Sequence, residues 1–370
     1  MNLSPFSTAI EVNAMPLSNT SNCRVLLNSR PNGKPTLENF RIETGTVPVP
    51  STGQILLHTL YLSLDPYMRG RMSDAASYTA SLAIGDVMVG GTISLIETSL
   101  NPNFKQGDLV LSANGWQEYA LSDGKNIIKL NSDSESNYLH ASLNLGVLGM
   151  PGFTAYMGLL EIGQPKSGET VVVAAASGAV GAVVGQIAKI KGCCVIGIAG
   201  GAEKCRYVKD ELGFDACLDH HAPDFAQQLS KAVHVNQAHQ GIDIYFESVG
   251  GPVFEAVLPL LNTKARIPVC GLITHYNDNQ SFKNAHNSDV FMRTVLTKRL
   301  KVQGFIIFDD YGEKYSEFTH QMSVWIDEGK IKYKEDIVKG LKNAPQAFIG
   351  LLEGKNFGKL VVKVDSLTNY

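Results

Sequence analysis

Charged residues are scarce in this chain of 370 residues, and no stretch of it concentrates lysine or arginine. Only 18% of the residues are charged and the formal net charge is −3, so the chain lacks the basic surface that binds nucleic acid. Nucleic acid is therefore not an expected partner. The 44% of hydrophobic residues indicates a soluble globular protein, and the length predicts two domains rather than one.

The amino-terminal stretch lacks both a basic start and an apolar segment of signal-peptide length. Residues 1–22 are rich in serine, asparagine and threonine, so we expect a loose leader there. This predicts a cytoplasmic protein that has no membrane partner.

Cysteine is absent between residues 24 and 140, and His58 is the only histidine before His140. Zinc sites are built mainly from cysteine and histidine, so a catalytic zinc site cannot be assembled in this half, and we predict no metal. The six cysteines are scattered over predicted strands and helices, which favours reduced thiols. They are Cys23, Cys193, Cys194, Cys205, Cys217 and Cys270.

The strongest motif follows a short apolar run, Val171–Ala176, which predicts a buried parallel strand that gives way to a helix. The spacing Ala176-x-Gly178-x-x-Gly181 is the dinucleotide-binding fingerprint with alanine in place of its first glycine. Gly178 lets the backbone approach a pyrophosphate, and the N–H groups at the helix start attract phosphate. We therefore expect the phosphates over Ser177, Gly178, Ala179, Val180 and Gly181.

Strands and helical stretches alternate through the second half, as in βαβ units. With residues 171–176, the predicted strands would form a six-stranded, doubly wound parallel sheet of the Rossmann type. The other strands are Cys194–Ala199, Ala216–Asp219, Gly241–Phe246, Ala265–Gly271 and Lys301–Ile307.

The first half shows short alternating strands punctuated by proline and glycine, which predicts a β-barrel-like catalytic domain. Examples are Cys23–Asn28, Gln54–Leu60 and Val87–Ile93. A helix near Phe318–Glu328 leads to an alternating strand, Asn356–Val364, that we expect to rejoin the barrel. The predicted fold class is α/β, with a leader at 1–22, the barrel-like domain at 23–143, the Rossmann domain at 144–318 and the return to the catalytic domain at 319–370.

The end of the second Rossmann strand indicates the cofactor, because an acidic residue about 20 positions after the fingerprint would bind the ribose of NAD. Ala199–Gly201 stands there instead, and Lys204 and Arg206 follow with positive charge, which favours NADPH. In the alternative, Lys204 and Arg206 are solvated helix residues and Glu203 binds the ribose of NAD. Glu203 also suits a helix N-terminus.

Several phrases resemble the medium-chain dehydrogenase/reductase superfamily, and within it the prostaglandin reductase branch of zinc-independent NADPH double-bond reductases. They are LDPYMR at 64–69, MPGFTAY at 150–156, AASGAVG at 175–181, CGLITHYN at 270–277 and NFGK at 356–359. The resemblance runs from about residue 23 to 364 and extends to the bacterial curcumin/dihydrocurcumin reductases of that branch. It implies a GroES-like barrel domain and a homodimer formed through the outer edge of the Rossmann sheet, with strands at 265–271 and 301–307.

The resemblance also implies individual cofactor contacts. Lys204 would bind the 2′-phosphate, and Asn356 would bind the cofactor. The segment that begins with Cys270 and Gly271 would border the cofactor, and Phe305, Ile306 and Ile307 would lie near the nicotinamide. Two positions depart from the pattern, since His220 replaces a tyrosine of mammalian members and Ser248 replaces a frequent asparagine. Contacts from His220 and Ser248 are left open.

Without a Lewis acid, an isolated ketone is hard to reduce, whereas a conjugated enone accepts hydride at its β-carbon and spreads charge onto the carbonyl oxygen. A tyrosine hydroxyl can stabilise that enolate, and Tyr276 and Tyr67 are the candidates. Each has an alternative, because Tyr276 also suits a surface loop and Tyr67 a packing position. We expect Arg69 and Arg71 to tie the barrel loop together by hydrogen bonds. The α-carbon would take its proton from solvent or from the tyrosine.

The leading hypothesis is NADPH-dependent reduction of the C=C bond of hydrophobic, curcumin-like enones and enals. Quinone reduction with the same fold and donor is one alternative, and a non-catalytic NADPH-binding regulatory protein is another. The loops near residues 275–290 would shape the pocket, so the sequence leaves the physiological substrate open.

Overall fold

The computed structural model describes residues 21–75, 77–130, 140–234, 240–278 and 286–364, the last range without the side chains of residues 286 and 287. The strands in these ranges are β1 Ser21–Leu27, β2 Phe40–Thr46, β3 Ile55–Ser63, β4 Thr92–Ser99, β5 Leu109–Ser112, β6 Tyr119–Ser122, β7 Ile128–Lys129, β8 Thr170–Val173, β9 Cys194–Ala199, β10 Ala216–Asp219, β11 Ile242–Phe246, β12 Leu261–Val269, β13 Lys301–Gly304, β14 Glu335–Lys339 and β15 Lys359–Lys363. The α-helices are α1 Met68–Arg71, α2 Met150–Met157, α3 Gly181–Ile190, α4 Ala202–Arg206, α5 Phe225–Val233, α6 Gly251–Val257, α7 His286–Lys298, α8 Ile307–Tyr311, α9 Tyr315–Asp327 and α10 Ala344–Leu352.

The second half forms a six-stranded parallel sheet in the order β10–β9–β8–β11–β12–β13. The strand order reverses between β8 and β11, which is the Rossmann arrangement, so the predicted doubly wound sheet is confirmed. Alternate residues of β8 enter different cores, since Val171 and Val173 belong to one apolar cluster and Val172 to another. Helices cover both faces, which is why the central strands β8 and β11 are buried and mostly apolar.

Three strand predictions in this sheet were wrong at their ends. The strand predicted at 171–176 ends at Val173, because the chain turns there and Ala175 has a φ of 47°. The strand predicted at 265–271 begins earlier, at Leu261, and ends at Val269. The strand predicted at 301–307 ends at Gly304, because the chain turns there and α8 begins at Ile307. The turn is held by the backbone N–H of Ile306, which donates to the Asp310 carboxylate at 2.7 Å.

The first half and the tail form a second, seven-stranded sheet in the order β14–β15–β3–β4–β5–β7, with β6 also paired to β3. β15 runs antiparallel to β3 and parallel to β14, so the tail returns to the first sheet as expected. The predicted strand at 87–93 was wrong, since β4 begins at Thr92. Met88 instead exchanges backbone hydrogen bonds with Val25 and Trp116.

Two predicted segment limits cut through regular structure. Ser21 and Asn22, expected in the leader, lie in β1, where the Asn22 side chain donates to the backbone of Tyr119 at 2.9 Å. The limit at 318/319 would divide α9, whose Phe318 packs on Phe153 of α2 with ring centroids 5.1 Å apart. The helix therefore packs with the Rossmann core before the chain returns to the other sheet.

Within the described ranges, no helix combines the length and the apolar character that crossing a membrane requires.

Candidate active site

The turn after β8 forms a backbone cradle at the start of α3. A Cβ added at Gly181 would lie 2.5 Å from the Ala175 carbonyl oxygen, so only glycine fits there, whereas one added at Gly178 would meet just that oxygen, at 3.1 Å. In the part of the chain that the structure describes, the backbone N–H groups of Val180 and Gly181 have no hydrogen-bond acceptor. Residues 177–179 line the same cleft. Unpaired N–H groups at the start of a ten-residue helix fit the diphosphate of a dinucleotide.

Lys204 and His220 lie near the carboxyl end of β9, where the Asp219 carboxylate accepts a hydrogen bond from the backbone N–H of Gly201 at 2.9 Å. A Cβ added at Gly200 would lie 3.2 Å from His220 Nε2, so the imidazole covers the strand end. Burial, His221 and the charge of Lys204 lower the pKa of His220, while the charge of Asp219 acts in the opposite direction. This pair fits a phosphate on the adenosine ribose. Arg206 is exposed, and its role stays a prediction.

The tail closes this cleft from the other side. Lys204 Nζ donates to the Gly354 carbonyl at 2.6 Å, and the Asn356 side-chain amide donates to the Gly358 carbonyl at 2.8 Å. Gly358 forms a parallel bridge with Gly178 of the fingerprint turn. Asn356 therefore lies beside the diphosphate cradle, although no motif other than the family phrase indicated this.

Lys334 is a cation at the cleft that sequence reasoning missed. Its Nζ lies 4.6 Å from the ring centroid of Phe357 and 5.7 Å from that of Tyr207, and it lines the same cleft as Gly178. The two rings meet edge to face with centroids 5.0 Å apart. The sequence around Lys334 carries no motif, so only the fold could place its charge here.

The residues predicted to border the nicotinamide meet at the carboxyl ends of β11 and β12. The backbone N–H of Cys270 donates to the Glu247 carbonyl at 3.0 Å, and that of Ile273 donates to the Ser248 carbonyl at 3.2 Å. A Cβ added at Gly271 would lie 3.7 Å from the Ser248 carbonyl oxygen. Ser248, Cys270 and Gly271 thus form one ledge, and their cofactor contacts stay predictions.

The Glu247 side chain, which sequence reasoning also missed, holds this ledge from below. It is 2% exposed, and its Oε1 accepts hydrogen bonds from the backbone of Val249 at 2.6 Å and of Gly250 at 2.9 Å. Burial raises the pKa of Glu247, while these backbone hydrogen bonds act in the opposite direction. The carboxyl group therefore fixes the turn after β11 that presents Ser248.

Phe305–Ile307 follows β13 below this ledge. The Phe305 ring is buried in the core, 2.6 Å from where a Cβ added at Gly158 would lie. Ile307 is buried as well, and Ile306 precedes α8 as its N-cap. The contacts of Phe305, Ile306 and Ile307 with a nicotinamide stay predictions.

The two predicted tyrosines are both partly buried. The Tyr276 hydroxyl lies above Gly271, where an added Cβ would be 3.0 Å from its oxygen. Burial raises the pKa of Tyr276 to about 12, and burial and Asp65 raise the pKa of Tyr67. The charge of Tyr78 also contributes to raising the pKa of both groups. Sequence reasoning missed Tyr78, which belongs to no motif.

The loop that presents Tyr67 is anchored by a buried ion pair. Lys359 Nζ in β15 lies 2.6 Å from Asp65 Oδ1, and the two side chains are 5% and 9% exposed. Lys359 also donates to the Leu64 carbonyl at 3.0 Å, and the Ser63 hydroxyl donates to the other carboxylate oxygen. The tail strand is thereby fastened to the loop of the first sheet.

Among the residues that the structure describes, no group of three or more His, Cys, Asp or Glu side chains could hold a metal ion. Metal independence stays a prediction.

Comparison with known proteins defines the class. A family profile described as the N-terminal domain of oxidoreductase matches residues 24–130, and one described as zinc-binding dehydrogenase matches residues 179–323. The chain is 58% identical to the NADPH-dependent curcumin reductase of Escherichia coli over 343 residues, which are 93% of this chain and 97% of that protein. It is 40% identical to the 2-alkenal reductase (NADP(+)-dependent) of Nicotiana tabacum over 349 residues, 93% of this chain and 98% of the relative.

Further comparisons agree. Prostaglandin reductase 1 of Bos taurus is 38% identical over 331 residues, 90% of this chain and 95% of the relative. The crystal structure of CurA from Vibrio vulnificus in complex with NADPH superposes with a TM-score of 0.88 at 57% identity, over 93% of this chain and 99% of that chain. The protein therefore belongs to the medium-chain dehydrogenase/reductase superfamily and, within it, to the branch of the prostaglandin and curcumin reductases.

We expect Lys359→Met to lower the free energy of unfolding by about 3 to 5 kcal/mol, because it leaves the Asp65 carboxylate buried without its partner. Urea denaturation measures this. The double variant Lys359→Met/Asp65→Leu should recover most of the loss, and Lys125→Met, which removes an exposed pair with Asp123, should change little. An unchanged unfolding midpoint for Lys359→Met would contradict the anchoring role of the pair.

Proposed function

We propose that this protein uses NADPH to reduce the C=C bond of hydrophobic α,β-unsaturated ketones and aldehydes. The observation that carries the proposal is the position of the Tyr276 hydroxyl, which lies over Gly271 in the ledge of Ser248, Cys270 and Gly271. The names of the relatives support it, since one is a curcumin reductase and another a 2-alkenal reductase. Curcumin-like enones are the substrate class that we propose. A cytoplasmic location stays a prediction from sequence.

In this reaction, bound NADPH supplies a hydride to the β-carbon of the substrate. The electron pair of the C=C bond then moves toward the carbonyl, whose oxygen gains negative charge. Tyr276 donates a hydrogen bond to that oxygen, and Tyr67 approaches it from the other wall of the cleft. A fixed donor in a cleft with little water stabilises the developing charge more than solvent would. The α-carbon finally takes a proton, which completes the reduced C–C bond.

Both hydroxyls suit this role because they keep their protons. The pKa of Tyr276 is raised to about 12 by burial, and that of Tyr67 is raised by the same cause. Each therefore stays a neutral donor throughout the physiological pH range. Gly271 matters here, since its lack of a side chain leaves room for the Tyr276 hydroxyl.

Turnover across a small panel tests the proposed function. We expect a curcumin-like enone and a long-chain 2-alkenal to oxidise NADPH, with the reduced C=C bond identified by mass spectrometry. Faster turnover of a benzoquinone than of any enone would favour quinone reduction. Tight NADPH binding without oxidation by any member would favour the non-catalytic alternative.

The cofactor contacts follow from the same cleft. We assign the diphosphate to the cradle of residues 177–181 with Lys334 and Asn356 at its far wall, and the 2′-phosphate to Lys204 and His220. The ledge of Ser248, Cys270 and Gly271, with Phe305–Ile307 beneath it, would border the nicotinamide.

Lys204→Ala should weaken NADPH binding by about 1.5 to 3 kcal/mol, because one charged hydrogen bond to the 2′-phosphate is lost. NADH should lose much less, since it lacks that phosphate and is affected only through the lost bond to Gly354. Fluorescence titration of both cofactors measures the difference, with the exposed Lys209→Ala as the control. Equal weakening of both cofactors would remove Lys204 from the phosphate site.

Tyr276→Phe keeps the ring and removes the donor, so kcat on an enone should fall by about 10² to 10³-fold, or less if Tyr67 compensates. NADPH affinity should stay unchanged. Because the pKa of Tyr276 is about 12, the ratio of parent to variant kcat should be constant between pH 6 and pH 9. If Tyr276→Phe turns over at the parental rate while Tyr67→Phe does not, Tyr67 is the main donor.

A homodimer built on the edge of the Rossmann sheet is the assembly that we propose. β13 alone supplies this edge, because β12 lies between β11 and β13, which corrects the expectation that both strands would form it. Val290, Met292 and Leu296 of α7 are exposed beside it, Leu296 by 77%. Exposed apolar side chains on a helix, together with an unpaired edge strand, suit a second copy of this chain.

Leu296→Lys should shift the protein from dimer to monomer, since it places a charge in the apolar contact. Sedimentation velocity measures the change, and Val49→Lys, at a residue 82% exposed in the first half, is the control. A parent protein that sediments as a monomer would rule out this interface.

A further inference from the structure

Arg69 is a buried cation without a counter-charge. Its residue is 4% exposed in α1, and burial lowers its pKa. Among the described residues, no carboxylate lies within ion-pair distance of its guanidinium. Desolvating an arginine is costly unless its N–H groups find acceptors, so the neutral acceptors that it does find must matter for its position.

The guanidinium bridges two parts of the chain that are far apart in sequence. Its Nη2 donates to the Gly33 carbonyl at 2.8 Å, within the first half. Its Nε donates to the Asn277 side-chain oxygen at 3.2 Å, in the loop that follows β12 of the Rossmann sheet. One planar group thus joins the catalytic half to the nucleotide-binding half.

Both ends of this bridge lie next to a tyrosine of the substrate cleft. Tyr67 is the N-cap of α1, two residues before Arg69, and Tyr276 immediately precedes Asn277. The short helical turn Ile273–His275 ends at Tyr276, whose backbone N–H donates to Ile273. A shift of Asn277 would therefore move Tyr276 directly.

We propose that Arg69 and Asn277 form a positioning pair that sets the spacing of the Tyr67 and Tyr276 hydroxyls across the substrate cleft. The pair does not touch the reacting atoms. It acts through Tyr276, so the inference rests on the role proposed for that hydroxyl. Small displacements suffice for a large effect, because misplacing a catalytic group by about 1 Å can cost about 10²-fold in rate.

Asn277→Ala removes the acceptor and should lower kcat on an enone by about ten- to hundredfold, with the Kd of NADPH and the urea unfolding midpoint unchanged. Asn277→Asp keeps an acceptor at the same place and should restore most of kcat. Asp278→Ala is the matched control, since Asp278 is the exposed next residue and pairs with His275 rather than Arg69. A parental kcat in Asn277→Ala would contradict the positioning role of the pair. A kcat that stays low in Asn277→Asp would contradict it as well.

A double-mutant cycle separates this inference from the proposed function. In the Tyr276→Phe background, Asn277→Ala should cause little further loss of kcat, because the group that it positions is already gone. A full additional loss in that background would show that Asn277 acts on something else and would overturn the pair. A parental rate for Tyr276→Phe alone would instead remove the proposed role of Tyr276, whatever Asn277→Ala does.

Discussion

The buried ion pair between Asp65 and Lys359 is the constraint on which the active site depends. It lies where the loop that presents Tyr67 meets the tail strand that carries Gly358 next to the fingerprint turn. A buried ion pair contributes little net stability against an apolar replacement, yet losing one partner is severe. Here the Lys359 stem also packs under Gly146, 3.2 Å from where a Cβ would be, so the lysine has little freedom to move. The loop that carries Tyr67 and the cofactor cleft are thereby held in a fixed relative position.

The cleft is built jointly by the two halves. The Rossmann half supplies the diphosphate cradle, and the carboxyl-terminal tail supplies the wall opposite it. Tyr276 and the ledge also belong to the Rossmann half, whereas Tyr67 and Tyr78 belong to the other half. Each half alone supplies only part of the hydroxyl groups and of the hydrogen-bond donors to phosphate, and lacks the side of the cleft that the other half supplies. Chemistry that needs a hydride donor and an enolate stabiliser at opposed positions therefore depends on how the halves are fastened together.

The sequence predicted those parts of the molecule that local pattern determines. β9 and β10 appear at the predicted residues, because short apolar runs ended by glycine or a charged residue leave few alternatives. The run Phe305–Ile307 was wrongly extended as a strand, since an apolar run does not reveal where the chain turns to enter a helix. Tyr78 and Lys334 could not be found, because their roles come from distant segments that only the fold brings together.

The pairing of the tail strand has a consequence for biosynthesis. β15 lies between β14 and β3, so the first sheet, although most of its strands precede the Rossmann half in the chain, stays incomplete until β15 has been translated. Domains generally fold as units in the order in which they leave the ribosome, and the Rossmann half can do so. The amino-terminal half cannot, because the end of β3 at residues 61–63 pairs with β15 and must wait for it. A nascent chain of this architecture therefore exposes an open sheet edge until β15 pairs with it, and such an edge can pair with other chains.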